Sequence, residues 1–201
     1  MSTKMQVEHS RRSPEYWDQL YEAGYRVQEP EAFERTMFRN YTTVKSGMLA
    51  VDVGCGRGRM SAHMATWGLM VLAYDFSTVA IEDARGSHQN FGDHLTFARH
   101  DFNSDAIPPE LVPGTVDIIS CRHSFEFLDR ARFIGDARRW LTPSGVLHIT
   151  THRARRMPPS AAHQGVRDEE IEGLRKGWRY MTTYGLEGRD SLIGIVLRGP
   201  R

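Results

Sequence analysis

Five short apolar runs punctuate the middle of the chain: LAVDV at 49–53, MVLAY at 70–74, LTFAR at 95–99, VDIIS at 116–120 and VLHIT at 146–150. Helical patterns at 57–68, 77–88 and 127–141 separate them. The last is the clearest, with Phe133, Ile134, Ala137, Trp140 and Leu141 at i, i+1, i+4, i+7 and i+8. Apolar strands alternating with amphipathic helices are covered on both faces, because each crossover lays a helix against the sheet. The expected fold is a doubly wound α/β domain around a parallel sheet. Toward the end of the chain the rhythm changes. A helix around DEEIEGLRKGW is followed by RYMTTYGLEG and SLIGIVLRG, two strand candidates joined by a few residues including Gly188 and Asp190. That pattern is a hairpin, so the sheet should finish antiparallel.

Ahead of the first run, SPEYWDQLYEAG offers Ser13 as N-cap, Pro14 at the first helical position and Gly24 as a stop. Tyr16, Trp17, Leu20 and Tyr21 form one stripe, which reads equally as core or as a lid over a bound ligand. A second helix carrying Phe33, Met37, Phe38 and Tyr41 is expected after Pro30.

The stretch LAVDVGCGRGRM places Gly54, Gly56 and Gly58 directly behind the first strand and ahead of a helix. A strand, a glycine turn and a helix N-terminus bring backbone N–H groups to one spot where no Cβ blocks a ligand. The dinucleotide fingerprint is G-x-G-x-x-G, whereas the pattern here is G-x-G-x-G with Arg59 next. Asp75 ends the second strand, 21 residues after Gly54, where a carboxylate can accept both hydroxyls of a ribose. Asp101 follows the third strand, placed to meet an adenine amino group, with Phe102 beside it to pack the ring.

These segments resemble the class I S-adenosylmethionine-dependent methyltransferases over nearly everything from Tyr16 onward. VDVGCGRG resembles that family's glycine loop, AYDFS its ribose-binding acid, RHDF its adenine-contacting acid, and VDIISCRHSFEFLDR its fourth strand and active-site loop. WLTPSGVLHI resembles its entry to the fifth strand. The resemblance implies a Rossmann-like seven-stranded sheet of order 3-2-1-4-5-7-6 with strand 7 antiparallel, preceded by N-terminal helices. It implies one domain over 1–201, with 1–45 as a helical cap and 46–201 as the core. It also implies S-adenosylmethionine as cofactor, with contacts at Tyr16, Asp52, Gly54, Cys55, Gly56, Gly58, Asp75, Phe76, Ser77, Asp101, Phe102, Cys121 and Arg122. YWDQLYEAG and DEEIEGLRKGW further resemble the small-molecule branch that includes thiopurine and tellurite methyltransferases. Many relatives carry a histidine near the end of the fourth motif, where this chain has Phe127, so no base transfers to that position.

A sulfonium methyl is electrophilic by itself, so the protein has to align a nucleophile and, for a hydroxyl or protonated amine, supply a base. Ligands of open α/β sheets lie beyond the carboxyl ends of the strands. His123 and Glu126 follow the fourth strand and His152 the fifth, making these three the catalytic candidates; His148 lies inside its strand and reads as a hydrogen-bonded interior residue. Arg153, Arg155 and Arg156 in THRARRMPP follow the fifth strand, and as arginine forks they would suit a carboxylate or phosphate on a small acceptor.

Composition narrows the alternatives. A net charge of +1 gives no global reason to expect nucleic acid. With SCRHSF standing where an amino-methylase would carry an NPPY-like motif, RNA methylation is disfavoured. The N-terminal MSTKMQVEHSRRSPEYW lacks an apolar signal-peptide core, and no run approaches the roughly 18 apolar residues of a membrane span. Two cysteines, Cys55 and Cys121, are too few for a disulfide framework or a zinc site. The expectation is a cytoplasmic enzyme that methylates a small metabolite and holds no metal, with no membrane contact. The acceptor, the attacking atom and the oligomeric state stay open, as does a non-catalytic cofactor-binding role.

Overall fold

The computed structural model describes residues 13–158, 165–186 and 188–201. Two helices come first, α1 (Pro14–Glu22) and α2 (Ala32–Thr42). Ser13 caps α1 as expected, its Oγ accepting the Tyr16 N–H at 3.3 Å, with Pro14 in the first turn where no donor is needed. The core then alternates: β1 (Leu49–Val53), α3 (Arg59–Thr66), β2 (Met70–Asp75), α4 (Thr78–Ser87), β3 (Leu95–Arg99), β4 (Val116–Arg122), α5 (Arg130–Trp140) and β5 (Leu141–His152). A short α6 (Asp168–Gly173) precedes the hairpin of β6 (Trp178–Leu186) and β7 (Arg189–Pro200).

The seven strands order as β3-β2-β1-β4-β5-β7-β6. The first five pair in parallel, and β7 runs antiparallel to both β5 and β6. This is the Rossmann-like architecture expected from the alternation and the terminal hairpin. One face of the sheet is closed by Phe133, Ala137 and Trp140 of α5, the other by Phe38 of α2, Met60 and Met64 of α3, and Ile81 and Ala84 of α4. Each helix buries one stripe, which is why the strands between them are apolar on both sides.

The strand order reverses at β1, whose neighbours are β2 and β4, so the chain leaves β1 and β4 toward opposite faces of the sheet. The crevice between those departing loops is where an open α/β sheet accommodates a ligand. Some boundaries differ from the sequence reading. Helix α5 begins at Arg130 because Asp129 caps it, its carboxylate accepting the Arg132 N–H. Strand β5 runs through His152 because antiparallel pairing with β7 continues to His152↔Leu192.

Candidate active site

A cleft of about 1040 Å³, its open mouth included, lies at the carboxyl ends of β1, β2 and β4. Its floor is the glycine loop. Gly54 and Gly56 adopt φ of +69° and +52°, which L side chains rarely take. A Cβ on Gly54 would fall 2.3 Å from Ser124 Cβ, and one on Gly56 would fall 2.9 Å from the Tyr21 hydroxyl. The loop is thus pinched between the turn after β4 and helix α1. Gly58 is the N-cap of α3, and a Cβ there would meet the Phe97 ring at 2.6 Å; it serves packing and does not line the cleft.

Asp75 is 5% exposed and ends β2 against this loop. Its Oδ2 accepts the Gly56 N–H at 2.8 Å and its Oδ1 the Ser77 N–H at 2.9 Å. Burial raises its pKa to about 6 despite those two bonds. Each oxygen keeps a second lone pair, so the carboxylate that fixes the loop can also accept two hydroxyls. Asp52 lies deeper, accepting Ser61 Oγ at 2.6 Å, and burial pushes its carboxyl upward as well. Phe76, His100, Asp101 and Phe102 continue the wall. The Asp101 carboxylate accepts the Asn103 N–H and the Ser104 hydroxyl, both at 2.9 Å. The His100 ring meets Phe102 edge-on at 4.4 Å.

Helix α1 closes the opposite side with Trp17 and Tyr21, and Trp17 reaches across to Phe127 at 5.3 Å. Two polar anchors hold the helix there. Asp18 accepts Ser77 Oγ at 2.5 Å and the Val79 N–H at 3.3 Å, at the start of α4. Arg57, from the glycine loop, donates to Tyr21 O and Tyr25 O at 2.9 and 2.8 Å and pairs with Asp83 at 2.7 Å. Arg59 also pairs with Glu29, drawing the 25–31 segment toward the mouth. His123 faces the cleft from the turn after β4, with φ of +55°.

Residues 51–149 match the family described as Methyltransferase domain. Together with the strand order and the glycine loop, this decides the family. The chain belongs to the class I S-adenosylmethionine-dependent methyltransferases. It is 31% identical over 107 residues to the mitochondrial ubiquinone biosynthesis O-methyltransferase of Schizosaccharomyces pombe, a match covering 53% of this chain and 38% of that protein. The chain therefore spans less than half the length of that relative. A TehB-like S-adenosylmethionine-dependent methyltransferase structure from Corynebacterium glutamicum superposes with a TM-score of 0.64 at 18% identity, covering 96% of this chain and 98% of that one. Haemonchus contortus phosphoethanolamine N-methyltransferase 2, in complex with S-adenosyl-L-methionine, gives 0.71 at 15% identity, covering 100% and 60%. At these identities the likeness is one of fold.

Within this methyltransferase the candidate site residues separate. Asp52, Gly54, Cys55, Gly56, Asp75, Phe76, Asp101, Phe102, Arg122 and His123 meet at the cleft. Tyr16, Gly58, Ser77, Cys121, Glu126 and His152 do not line it. Tyr16 lies about 100° round α1 from Trp17, and it is Trp17 and Tyr21, four residues apart, that share the cleft face. Ser77 caps α4, its Oγ accepting the Ala80 N–H at 3.1 Å. Cys121 is buried in the core, where its thiol meets Ser124 Oγ at 3.1 Å. Arg122 borders the cleft, yet its fork is committed to Glu34, at 2.6 and 3.2 Å.

Among the catalytic candidates, Glu126 turns to the Thr151 hydroxyl, which donates to it at 3.2 Å, and burial raises its pKa to about 6. His152 bonds Ser191 Oγ through Nδ1 at 2.9 Å, and its ring lies 5.7 Å from that of His123. His148 is the interior residue expected, bonded to Tyr184 Oη at 2.7 Å. Arg153 and Arg155 each place Nε 2.9 Å from a carboxylate oxygen of Asp168. The sequence reading missed His100 and the anchors Asp18 and Arg57, while the lid alternative for the Trp17–Tyr21 stripe agrees with the cleft lining. The signal for His100 was a histidine one residue before the expected adenine-side acid.

Among the described residues, no helix is long and apolar enough to cross a membrane, and no group of three or more His, Cys, Asp and Glu is placed to hold a metal ion.

Proposed function

We propose that this protein transfers the methyl group of S-adenosylmethionine to a hydroxyl on a small-molecule acceptor. The observation that carries the reading is the cleft itself, where a glycine loop, two strand-end carboxylates and a histidine face one space at the switch point of the sheet. Its donor set suits a nucleoside with an amino-acid tail. Asp75 is assigned the ribose hydroxyls, Asp101 the adenine amino group, and Phe76, His100 and Phe102 the faces around the ring. Gly54, Cys55 and Gly56, with Asp52 behind them, are assigned the tail, near the N-terminus of α3 whose first N–H groups lack helical partners.

The bound cofactor would supply an electrophilic sulfonium methyl. The protein's part is alignment and proton transfer. Trp17, Tyr21 and Phe127 exclude water from the acceptor side of the cleft, and His123 takes the hydroxyl proton as the O–CH₃ bond forms and the S–CH₃ bond breaks. His152, its ring beside that of His123, is assigned to orienting it. A hydroxyl acceptor agrees with the similarity to ubiquinone biosynthesis O-methyltransferases. The acceptor is taken as uncharged, with Asp168 beside the Nε of Arg153 and of Arg155 offsetting their charge. The proposal includes one domain over 1–201, with the cap of residues 1–45 serving as cofactor cover, and a cytoplasmic location.

Calorimetry with S-adenosylhomocysteine, followed by mass-spectrometric detection of methylated products across a panel of phenols, aliphatic alcohols, amines and thiols, tests this. Expected are micromolar binding and turnover confined to hydroxyl acceptors. Absence of binding would overturn the reading. Binding without turnover on any class would favour a non-catalytic role, and turnover on amines or thiols alone would remove the hydroxyl assignment.

A further inference from the structure

The buried ion pair between Glu34 and Arg122 has no part in the site as assigned. Both side chains are under one-tenth exposed, and the pair is bidentate, with Nε to Oε1 at 2.6 Å and Nη2 to Oε2 at 3.2 Å. Taking two charges out of water costs several kcal/mol per ion, and apolar replacements of a buried pair are often as stable or more so. Stability alone is therefore a poor reason for this pair. A guanidinium fork held by a carboxylate fixes direction as well as position, which is what a geometric device requires.

What the pair holds is the end of β4. Arg122 is the last residue of that strand, and His123 follows at φ of +55°. A left-handed L-residue is strained and persists only where its surroundings over-determine it. The surroundings here are specific. On one side Glu34 grips Arg122. On the other, Ser124 Oγ donates to Val53 O at 2.7 Å and sits tightly against Gly54. Between these two pins, the His123 N–H donates to Thr150 O at 2.8 Å. The chain has one residue in which to turn, and His123 absorbs the turn. Asp52, in the cleft floor, is near enough for the Arg122 charge to act on it. With Glu34 absent, that carboxylate would be within reach of the Arg122 charge.

We propose that Glu34 is a positioning residue for methyl transfer: through Arg122 it holds the backbone at 122–123 so that His123 faces the acceptor, and it keeps the guanidinium off Asp52. This deepens the function proposed above and rests on its assignment of His123. The tie also makes α2 part of the transfer site, although no α2 residue lines the cleft.

The test uses Glu34→Gln, which keeps shape and loses charge, and the double variant Glu34→Leu/Arg122→Met, which replaces the pair with apolar groups. In Glu34→Gln, S-adenosylhomocysteine affinity should stay within about twofold while kcat falls at least about tenfold. The His123 imidazole resonance in the ligand-free protein, assigned with His123→Gln, should shift or broaden, and that of His94 should not. The double variant should recover thermal stability without recovering kcat or the His123 resonance. Wild-type kcat with an unmoved His123 resonance in Glu34→Gln would overturn the proposal. So would a kcat that returns with stability in the double variant, or a loss confined to cofactor affinity. A wild-type protein that binds no S-adenosylhomocysteine would instead sink the underlying function, which the first titration decides separately.

Discussion

If Asp75 accepts the ribose hydroxyls, cofactor affinity should depend on pH in a way the structure fixes. Burial lifts this carboxyl from 3.8 to about 6 in the ligand-free protein. The folded value lies above the unfolded one. The group's contribution to stability is therefore fully present below 3.8 and is lost as pH rises through about 6, a change on the order of 3 kcal/mol. Hydroxyl donors favour the ionised form, so binding draws the pKa back down and releases a proton. With the ionised form as the binding-competent one, affinity scales as the ionised fraction. It should be about tenfold weaker at pH 5 than at pH 7, near 1.4 kcal/mol, and about twofold weaker at pH 6. Calorimetric titration with S-adenosylhomocysteine at pH 5, 6 and 7 in buffers of different ionisation enthalpy measures both affinity and proton release. Asp75→Asn cannot ionise, and should bind at least about tenfold more weakly at pH 7 with the pH dependence gone. A wild-type affinity constant from pH 7 to pH 5, or the same slope in a folded Asp75→Asn protein, would refute the ribose assignment.

Three further outcomes are expected. Gly56→Ala must hold φ of +52° and place a methyl 2.9 Å from the Tyr21 hydroxyl, so differential scanning should show a Tm lower by several degrees, with S-adenosylhomocysteine affinity reduced at least about tenfold. Tyr184→Phe removes the partner of buried His148 and should cost about 1–3 kcal/mol by denaturant titration. Burial holds His148 near 3, below its unfolded value of 6.5, so its neutral-state stability is present above 6.5 and lost as pH falls toward 3; Tyr184→Phe should leave that acid sensitivity in place, as acid titration of the fold would show. Replacing Arg153 and Arg155 together by Gln should leave acceptor KM within about twofold, since Asp168 lies 2.9 Å from the Nε of each and offsets their charge; a large rise in KM would restore the anionic acceptor.

The fold was legible because strand-like runs alternate with amphipathic helices. LAVDV is β1 to the residue, a run buried at every position after the first, and LTFAR is β3 to the residue, an edge strand that leaves Thr96 and Arg99 exposed. The β6–β7 hairpin was legible from its turn and its paired runs. The start of β5 was not: the apolar run begins only at Val146, and pairing with β4 at Leu141 draws the preceding stretch into the strand. The glycine loop and Asp75 were placed correctly in space because both sit at strand ends, where the order of elements fixes position. The cap was harder. Helical spacing groups Tyr16, Trp17, Leu20 and Tyr21, but which side of α1 meets the cleft is decided by Asp18 on α4 and Arg57 on two carbonyls of the cap, contacts that no local pattern encodes. Arg122 finds its partner 88 residues upstream.

The same reasoning explains why one histidine of the three candidate bases reaches the cleft. Side chains of a strand alternate between faces, so a straight continuation of β4 would put residue 123 on the side of residue 121. Cys121 is wholly buried there, in the core beneath α5. A histidine on that face would be a desolvated interior group, as His148 is in β5. The left-handed backbone at His123 breaks the alternation at the strand's last turn, and His123 borders the cleft instead. Glu126, three residues on, has already entered the turn that packs against Thr151, and His152 still belongs to the regular β5 ladder through its pairing with Leu192. Their sequence positions after neighbouring strands are equivalent; their backbone conformations are not. The group assigned as base is thus selected by one φ angle, which explains why the contacts that impose that angle, Glu34 on Arg122 and Ser124 on Val53, belong to the chemistry as well as to the fold.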